Sequence, residues 1–178
     1  LQDVRERTEA ERRFSETAHQ LRVLIDSLDV GIAFFDRDER IAFVNRTLLQ
    51  QLDLSMREDL IGAPAVRLAR QAATWLEGLE LEQRIGTFNR VVRSEQPVRG
   101  LELRLSDGRI LIIDSLPVVS DGSRVGSLIT STDVTEARRR EAALRESEAQ
   151  FRSVFESGGV GMAIGDASGR IVEANPAL

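Results

Sequence analysis

Apolar residues recur at a helical period at both ends of the chain and at a strand period between them. Residues 1–28 are charged and hold no Gly or Pro, and Phe14, Ala18, Leu21, Ile25 and Leu28 follow a 4-3-4-3 spacing. That heptad seam predicts a coiled-coil-type helix. The seam weakens towards the N-terminus, where Arg7 and Glu11 fall on it. Gly31–Asp36 and Ile41–Asn45 are short apolar runs around a polar tetrapeptide, Arg37–Arg40, and predict a β-hairpin. Asn45 is placed to cap a short helix over Arg46–Leu52. Ser55 and Glu58 have capping-box spacing, so a second short helix is expected there, ending at Gly62. Ala73–Arg93 has a helical pattern. Leu101, Leu103 and Leu105 alternate with Glu102 and Arg104, a strand with one buried and one wet face. Asp107-Gly108 and Asp121-Gly122 are hairpin turns, with strands expected over Arg109–Val119 and Arg124–Thr132. Pro117 marks an edge or a bulge late in the first of these.

Asp133–Phe155 returns to a helical period. Val134, Ala137, Glu141, Leu144, Glu148, Phe151 and Phe155 hold a strict 3-4 spacing, along a helix of roughly 35 Å. Two Glu on the seam keep that coil marginal. The order of elements and the hairpin links predict an α+β fold. It consists of a mostly antiparallel five-stranded sheet with helices on one face, flanked by N- and C-terminal coiled-coil-type helices.

The chain also repeats itself. Leu21–Leu48 aligns without a gap on Phe151–Leu178, and ten of the 28 positions are identical, among them Gly31/Gly161, Asp36/Asp166, Arg40/Arg170, Asn45/Asn175 and Leu48/Leu178. So long a period means a repeated domain, not a solenoid. The expected organisation is an N-terminal helix over 1–25, a complete domain over 26–135, a linker helix over 136–157, and a truncated start of a second copy over 158–178. An isolated hairpin is marginal in water, so residues 160–178 are not expected to hold a stable sheet alone. The chain is thus expected to be a fragment of a longer protein. It starts without Met, which leaves an upstream membrane anchor open in the full-length protein.

Composition narrows the function classes. Net charge is −5 and all 24 basic residues are Arg, with no broad basic face for nucleic acid. Cys is absent, which removes disulfides, thiol nucleophiles and Cys-ligated metals. The single His, His19, cannot build a His-based metal site. Nothing within the fragment reads as a membrane span or a signal peptide, so it is expected to be cytoplasmic. Catalysis finds no support. No inward-facing carboxylate pair stands out, and Gly158-Gly159-Val160-Gly161 precedes a strand, the wrong context for a dinucleotide loop.

The complete copy resembles a PAS domain, the sensory module of bacterial signalling proteins. The residues that carry the resemblance are Leu28–Asp36, Val44-Asn45, Asp107-Gly108-Arg109 and the stretch from Pro117 to Gly126. Asp133-Val134-Thr135-Glu136 looks like the Asp-x-Thr motif that ends PAS domains, and the run to Phe155 is similar to the helices that join one PAS domain to the next. Ile110 departs from the pattern, where many relatives place Trp. The resemblance implies a non-catalytic sensor and dimerisation module. A second PAS domain and a downstream effector are expected in the same protein, most often a histidine kinase, then a diguanylate cyclase or phosphodiesterase. The competing reading is a ligand-free interaction module that only sets dimer register.

Candidate sites follow. Asp133, Thr135 and Glu136 are the expected signal relay, where the sheet hands over to the helix. Either Asp133 or Thr135 is suited to capping that helix, and Asp133 is expected to pair with Arg109. Phe14, Ala18, Leu21, Ile25, Leu28, Val134, Ala137, Leu144 and Phe151 are the expected homodimer seam. Arg67, Trp75, Phe88, Asn89, Arg90 and Ser115 are the expected pocket residues, with core packing the competing role for Trp75 and Phe88. A LOV-type flavin adduct needs a Cys, and haem of the usual PAS type needs a His on the helix facing the sheet. Neither fits this chain. Non-covalent flavin, a small organic acid and no ligand at all stay open.

Overall fold

A computed structural model describes residues 2–54, 59–73 and 80–178. The chain divides into two units, Leu1–Val134 and Thr135–Leu178. In the first, helix α1 (Gln2–Asp26) leads into the hairpin β1 (Val30–Asp36) and β2 (Ile41–Val44). Helices α2 (Arg46–Gln51), α3 (Ala65–Ala73) and α4 (Leu81–Arg93) follow, then strands β3 (Val98–Arg104), β4 (Ile110–Ser120) and β5 (Ser123–Asp133). The five strands form one antiparallel sheet in the order β2-β1-β5-β4-β3, so the fold is α+β as the pattern implies.

The core lies between one face of this sheet and helices α2 to α4. Ala33 and Phe35 of β1, Leu111 of β4 and Ile129 of β5 meet Leu48, Leu68 and Val92 of the helices, all buried. The turns close as their residues dictate. Asp36 accepts from the N–H groups of Asp38 and Arg40 at 2.9 and 2.8 Å, while Glu39 takes a φ of 58°. The Asp121-Gly122 turn has φ of 50° and 73°, the double left-handed geometry that matches strand twist. By strand order β4 is interior, yet β3 pairs with it no further than Ser115. Pro117 therefore lies where that side of β4 has no ladder, just before a bulge at Val118/Val119.

Two helical boundaries differ from the pattern. Ala73–Arg93 is not one helix: Glu80 is extended at φ −62° and ψ 147°, and α4 starts after it. Helix α3 lies where no helix was expected. Pro64 precedes it, and Ala65, Leu68 and Ala69 bury one face of it. The Ser55–Glu58 capping box lies outside the described residues.

Asp107 anchors the β3–β4 turn, accepting from the Arg109 N–H at 3.0 Å and from Arg109 Nε at 2.6 Å. Arg109 is thus held by Asp107, because the turn places the two side chains two residues apart. The backbone N–H of Arg109 is the chief reason the Asp107 carboxyl sits below the usual carboxylate range. A lowered folded value gives stability that is full above the unfolded Asp pKa, about 3.9, and is lost as pH falls through the lowered value. Asp107→Asn should therefore flatten the acid limb of Tm against pH without changing the neutral fold by circular dichroism. An unaltered acid limb would remove this role.

In the second unit, α5 (Thr135–Ser157) is followed by a hairpin of β6 (Ala163–Gly165) and β7 (Ile171–Ala174). Its hydrogen bonds repeat those of the first hairpin, 130 positions on. Asn45 Nδ2 donates to the carbonyls of Ile25 and Val30, and Asn175 Nδ2 to those of Phe155 and Val160. Asn45 Oδ1 accepts from Ile32 N–H and Asn175 Oδ1 from Met162 N–H, at 2.7 and 2.8 Å. Asp166 closes its turn on Ser168 and Arg170 as Asp36 does on Asp38 and Arg40. The bulge recurs too, between Phe34/Phe35 and between Ile164/Gly165. The outcome differs in burial: Ile41 is 0% exposed, whereas its counterpart Ile171 is 62% exposed.

Candidate functional site

A cavity of about 390 Å³ lies between the sheet and the helices. Its walls are chiefly apolar: Ala33 and Phe35 from β1, Leu48 and Leu52 at α2, Leu68, Ala69 and Ala72 from α3, Phe88 and Val91 from α4, and Leu111, Ile113 and Ile129 from the sheet. Phe88 meets Phe35 edge-on, with ring centroids 5.8 Å apart. Arg84 of α4 and Glu102 and Arg104 of β3 line the cavity too, and Arg104 pairs with Glu102 at 2.9 Å. Charge of both signs thus borders one side of an apolar space.

The opposite side is polar and uncharged. Ser131 of β5 lines the cavity, is 0% exposed, and its Oγ has no hydrogen-bond partner among the described residues. Beside it the buried Gln51 amide donates through Nε2 to the Ser131 carbonyl at 3.3 Å, and Gln51 Oε1 is also without a partner. Gly31 opposes Ser131 in the β1–β5 register. A Cβ there would come within 2.4 Å of Gln51 Oε1 and 3.1 Å of Leu48, so the absent side chain makes room for the Gln51 amide and for α2.

Helix α4 is clasped to the sheet at its C-terminal end. Ser115 Oγ donates to the Val91 carbonyl at 3.1 Å, and Ser127 Oγ to the Val92 carbonyl at 2.7 Å. Arg124 adds a 2.6 Å donation to Val92, and Arg93 makes a bidentate pair with Glu39 at 2.7 and 2.9 Å. The last carbonyls of a helix lack intrahelical partners, and these side chains supply them.

Strand β5 leads from the cavity to the domain's end. Ile129 and Ser131 face the cavity, and Asp133 opposes Leu111 of β4. Val134 N–H then donates to the Ile110 carbonyl at 2.9 Å, and α5 starts at Thr135. Asp133 and Glu136 are exposed and Thr135 is buried; Glu136 pairs with Arg139 at 3.0 Å.

Of the expected pocket residues, Phe88 lines the cavity. Ser115 is buried, but its hydroxyl is engaged by α4. Arg67 is exposed on α3, and Asn89 and Arg90 border a separate open depression with Arg93. Trp75 lies outside the described residues. Among the expected seam residues, Phe14, Leu21, Leu28, Leu144 and Phe151 are large apolar side chains exposed on their helices or helix ends. Ala18 and Ala137 are exposed as well, while Ile25 and Val134 are half-buried. Phe151 stacks on Phe155 at 5.8 Å. Pattern reading missed Gln51, Ser131, Leu68 and Ala69. His19 is exposed on α1. Among the described residues no group of His, Asp or Glu is placed to hold a metal, and no helix is long and apolar enough to cross a membrane.

The family model described as PAS fold matches residues 25–142, more than half of the chain. The chain belongs to the PAS family. A second model, described as PAS domain, matches residues 149–178, where the hairpin geometry repeats. A solved PAS domain agrees in fold. The PAS domain of Bordetella pertussis BvgS is similar at a TM-score of 0.53 and 18% identity, over 76% of this chain and 98% of that one. A phage VqmA–DPO complex is similar at a TM-score of 0.50 and 14% identity, over 78% of this chain and 62% of that one. The sensor region of a sensor histidine kinase reaches a TM-score of 0.47 at 18% identity, over 61% of this chain and 40% of that one. No curated protein matches the chain significantly in sequence.

Proposed function

We propose that this PAS chain is the sensory and dimerisation segment of a cytoplasmic bacterial signalling region. A small molecule in the cavity is the cue, and Asp133-Val134-Thr135 relays its presence to α5. The observation that carries this reading is the course of β5: Ser131 walls the cavity, and four residues later the same strand has become the helix that leaves the domain. A ligand that favours one setting of β5 over another shifts the start of α5 only by the difference in its affinity for the two settings. The exposed apolar seams on α1 and α5 support pairing with a second copy. The repeat at 149–178 supports a following PAS domain in tandem. A histidine kinase is the effector that best suits this arrangement, with a diguanylate cyclase or phosphodiesterase next.

The relay is tested by placing residues 1–157 ahead of a histidine kinase catalytic region. Asp133→Ala should change basal autophosphorylation several-fold, while circular dichroism and Tm stay as in the parent. Equal kinase output from the two chimeras would end the relay reading.

A further inference from the structure

We propose that the cavity takes a compact neutral molecule with an apolar body and a single hydroxyl or N–H, which sits against Ser131 on the cavity wall and reaches the Gln51 amide beside it. The proposal deepens the reading of the cavity as the cue's chamber and rests on it.

Among the described residues, Ser131 Oγ and Gln51 Oε1 have no hydrogen-bond partner, and both belong to residues more than nine-tenths buried. Leaving buried polar atoms unpartnered is unfavourable, and native proteins rarely do so. Gln51 is held in its present orientation because Nε2 donates to the Ser131 carbonyl, which fixes Oε1 as an acceptor. Ser131 Oγ can donate or accept. One ligand hydroxyl can therefore accept from Ser131 and donate to Gln51, and an N–H can donate to either.

Charge is disfavoured beside Ser131. The polar groups there are an amide and a hydroxyl, and the neighbouring walls are Ala33, Leu48 and Ile129. The charged residues border the cavity at α4 and β3. β3 lies two strands from β5 in the sheet order, about 10 Å away by ordinary strand spacing. An ionised carboxylate seated at Ser131 would be buried away from the β3 cation Arg104. Size is bounded as well. The volume of about 390 Å³ compares with an apolar cavity of ~150 Å³ that binds benzene, so a fused bicyclic body fits.

The test uses three probes with one body: 5-indanol, indane and indane-5-carboxylate, measured by calorimetry and thermal shift on the whole chain. 5-Indanol is expected to bind, with affinity about three- to tenfold above indane, the range of a typical net hydrogen bond. The carboxylate should bind least. Ser131→Ala should reduce the preference for the hydroxyl to within about twofold, while leaving the Tm of the free protein equal or higher, since it removes an unpartnered buried hydroxyl. Gln51→Leu is the second variant and should reduce the preference in the same way. Equal binding of 5-indanol and indane, or tighter binding of the carboxylate, overturns the proposed ligand class and leaves the chamber intact. A lower Tm for free Ser131→Ala also overturns it, because the hydroxyl is then already partnered. If no probe binds and Ala69→Leu raises Tm by filling the space, the chamber reading itself fails.

Discussion

Asn45→Ala should remove roughly 3–5 kcal/mol of stability from the first unit, far more than a typical point change. Asn45 is 0% exposed and makes four side-chain hydrogen bonds. Oδ1 accepts from Ile32 and Leu48 at 2.7 and 3.0 Å, and Nδ2 donates to Val30 and Ile25 at 2.8 and 3.1 Å. One side chain thereby joins the end of α1, both sides of the first hairpin and the first turn of α2. Alanine leaves two N–H groups and two carbonyls without these partners. Urea denaturation measures the effect, read as a lower midpoint with an unchanged slope. The matched change Asn175→Ala serves as the control. Its hairpin has a mostly exposed face, so the main transition should barely move. A loss under about 1 kcal/mol in Asn45→Ala would mean that water replaces these bonds at little cost.

Gly126→Ala should destabilise by about 2–4 kcal/mol, for a reason of space and not of backbone angle. Gly126 is buried on β5, opposite Asp36 and Val118. A Cβ built there lies 2.1 Å from the Phe35 carbonyl oxygen and 2.6 Å from the Phe34 ring. The ring can turn, but the carbonyl belongs to the β1–β5 ladder and cannot move alone. Thermal melting should show the loss, and hydrogen exchange should place it in β1 and β5. Retention of the parent Tm would mean that the two strands separate locally without consequence.

The sheet was legible because its strands are punctuated by Asp-Gly turns and marked by alternation. Asn45 was legible as a cap because a polar residue before Arg46–Leu52 has few other local roles. Helix α3 was available but overlooked: Pro64 followed by Ala65, Leu68, Ala69 and Ala72 has both the N-terminal Pro and the 3-4 spacing. The break at Glu80 was hidden by a run of Leu and Glu, both good helix formers, interrupted only by Gly78. The cavity's polar corner was not legible at all. In β5 the inward residues include Ser127 and Ser131, which hydropathy places on the wet face; Ser115 of β4 is inward as well. Their acceptors or neighbours lie far off in sequence: Ser115 and Ser127 meet α4 carbonyls 24 and 35 residues away, and Ser131 meets Gln51 across 80. No local pattern encodes such a partner. A change of period marks the junction at Asp133, Thr135 and Glu136 in the sequence, whereas Ser131 lies inside a regular strand.

The asparagine node has a mechanical meaning for α5. A helix that ends in a frayed turn lets torsion leak away, as a shaft does when its coupling slips. The carbonyl of Phe155, in the last turn of α5, is held by Asn175 at 2.9 Å, and that asparagine is also bonded to Val160 and Met162 across the hairpin. The far end of the helix is thus keyed to the hairpin that follows it. Any twist applied at Thr135 would reach β6 and β7 as a change of phase, its angle set by the number of residues between the two ends.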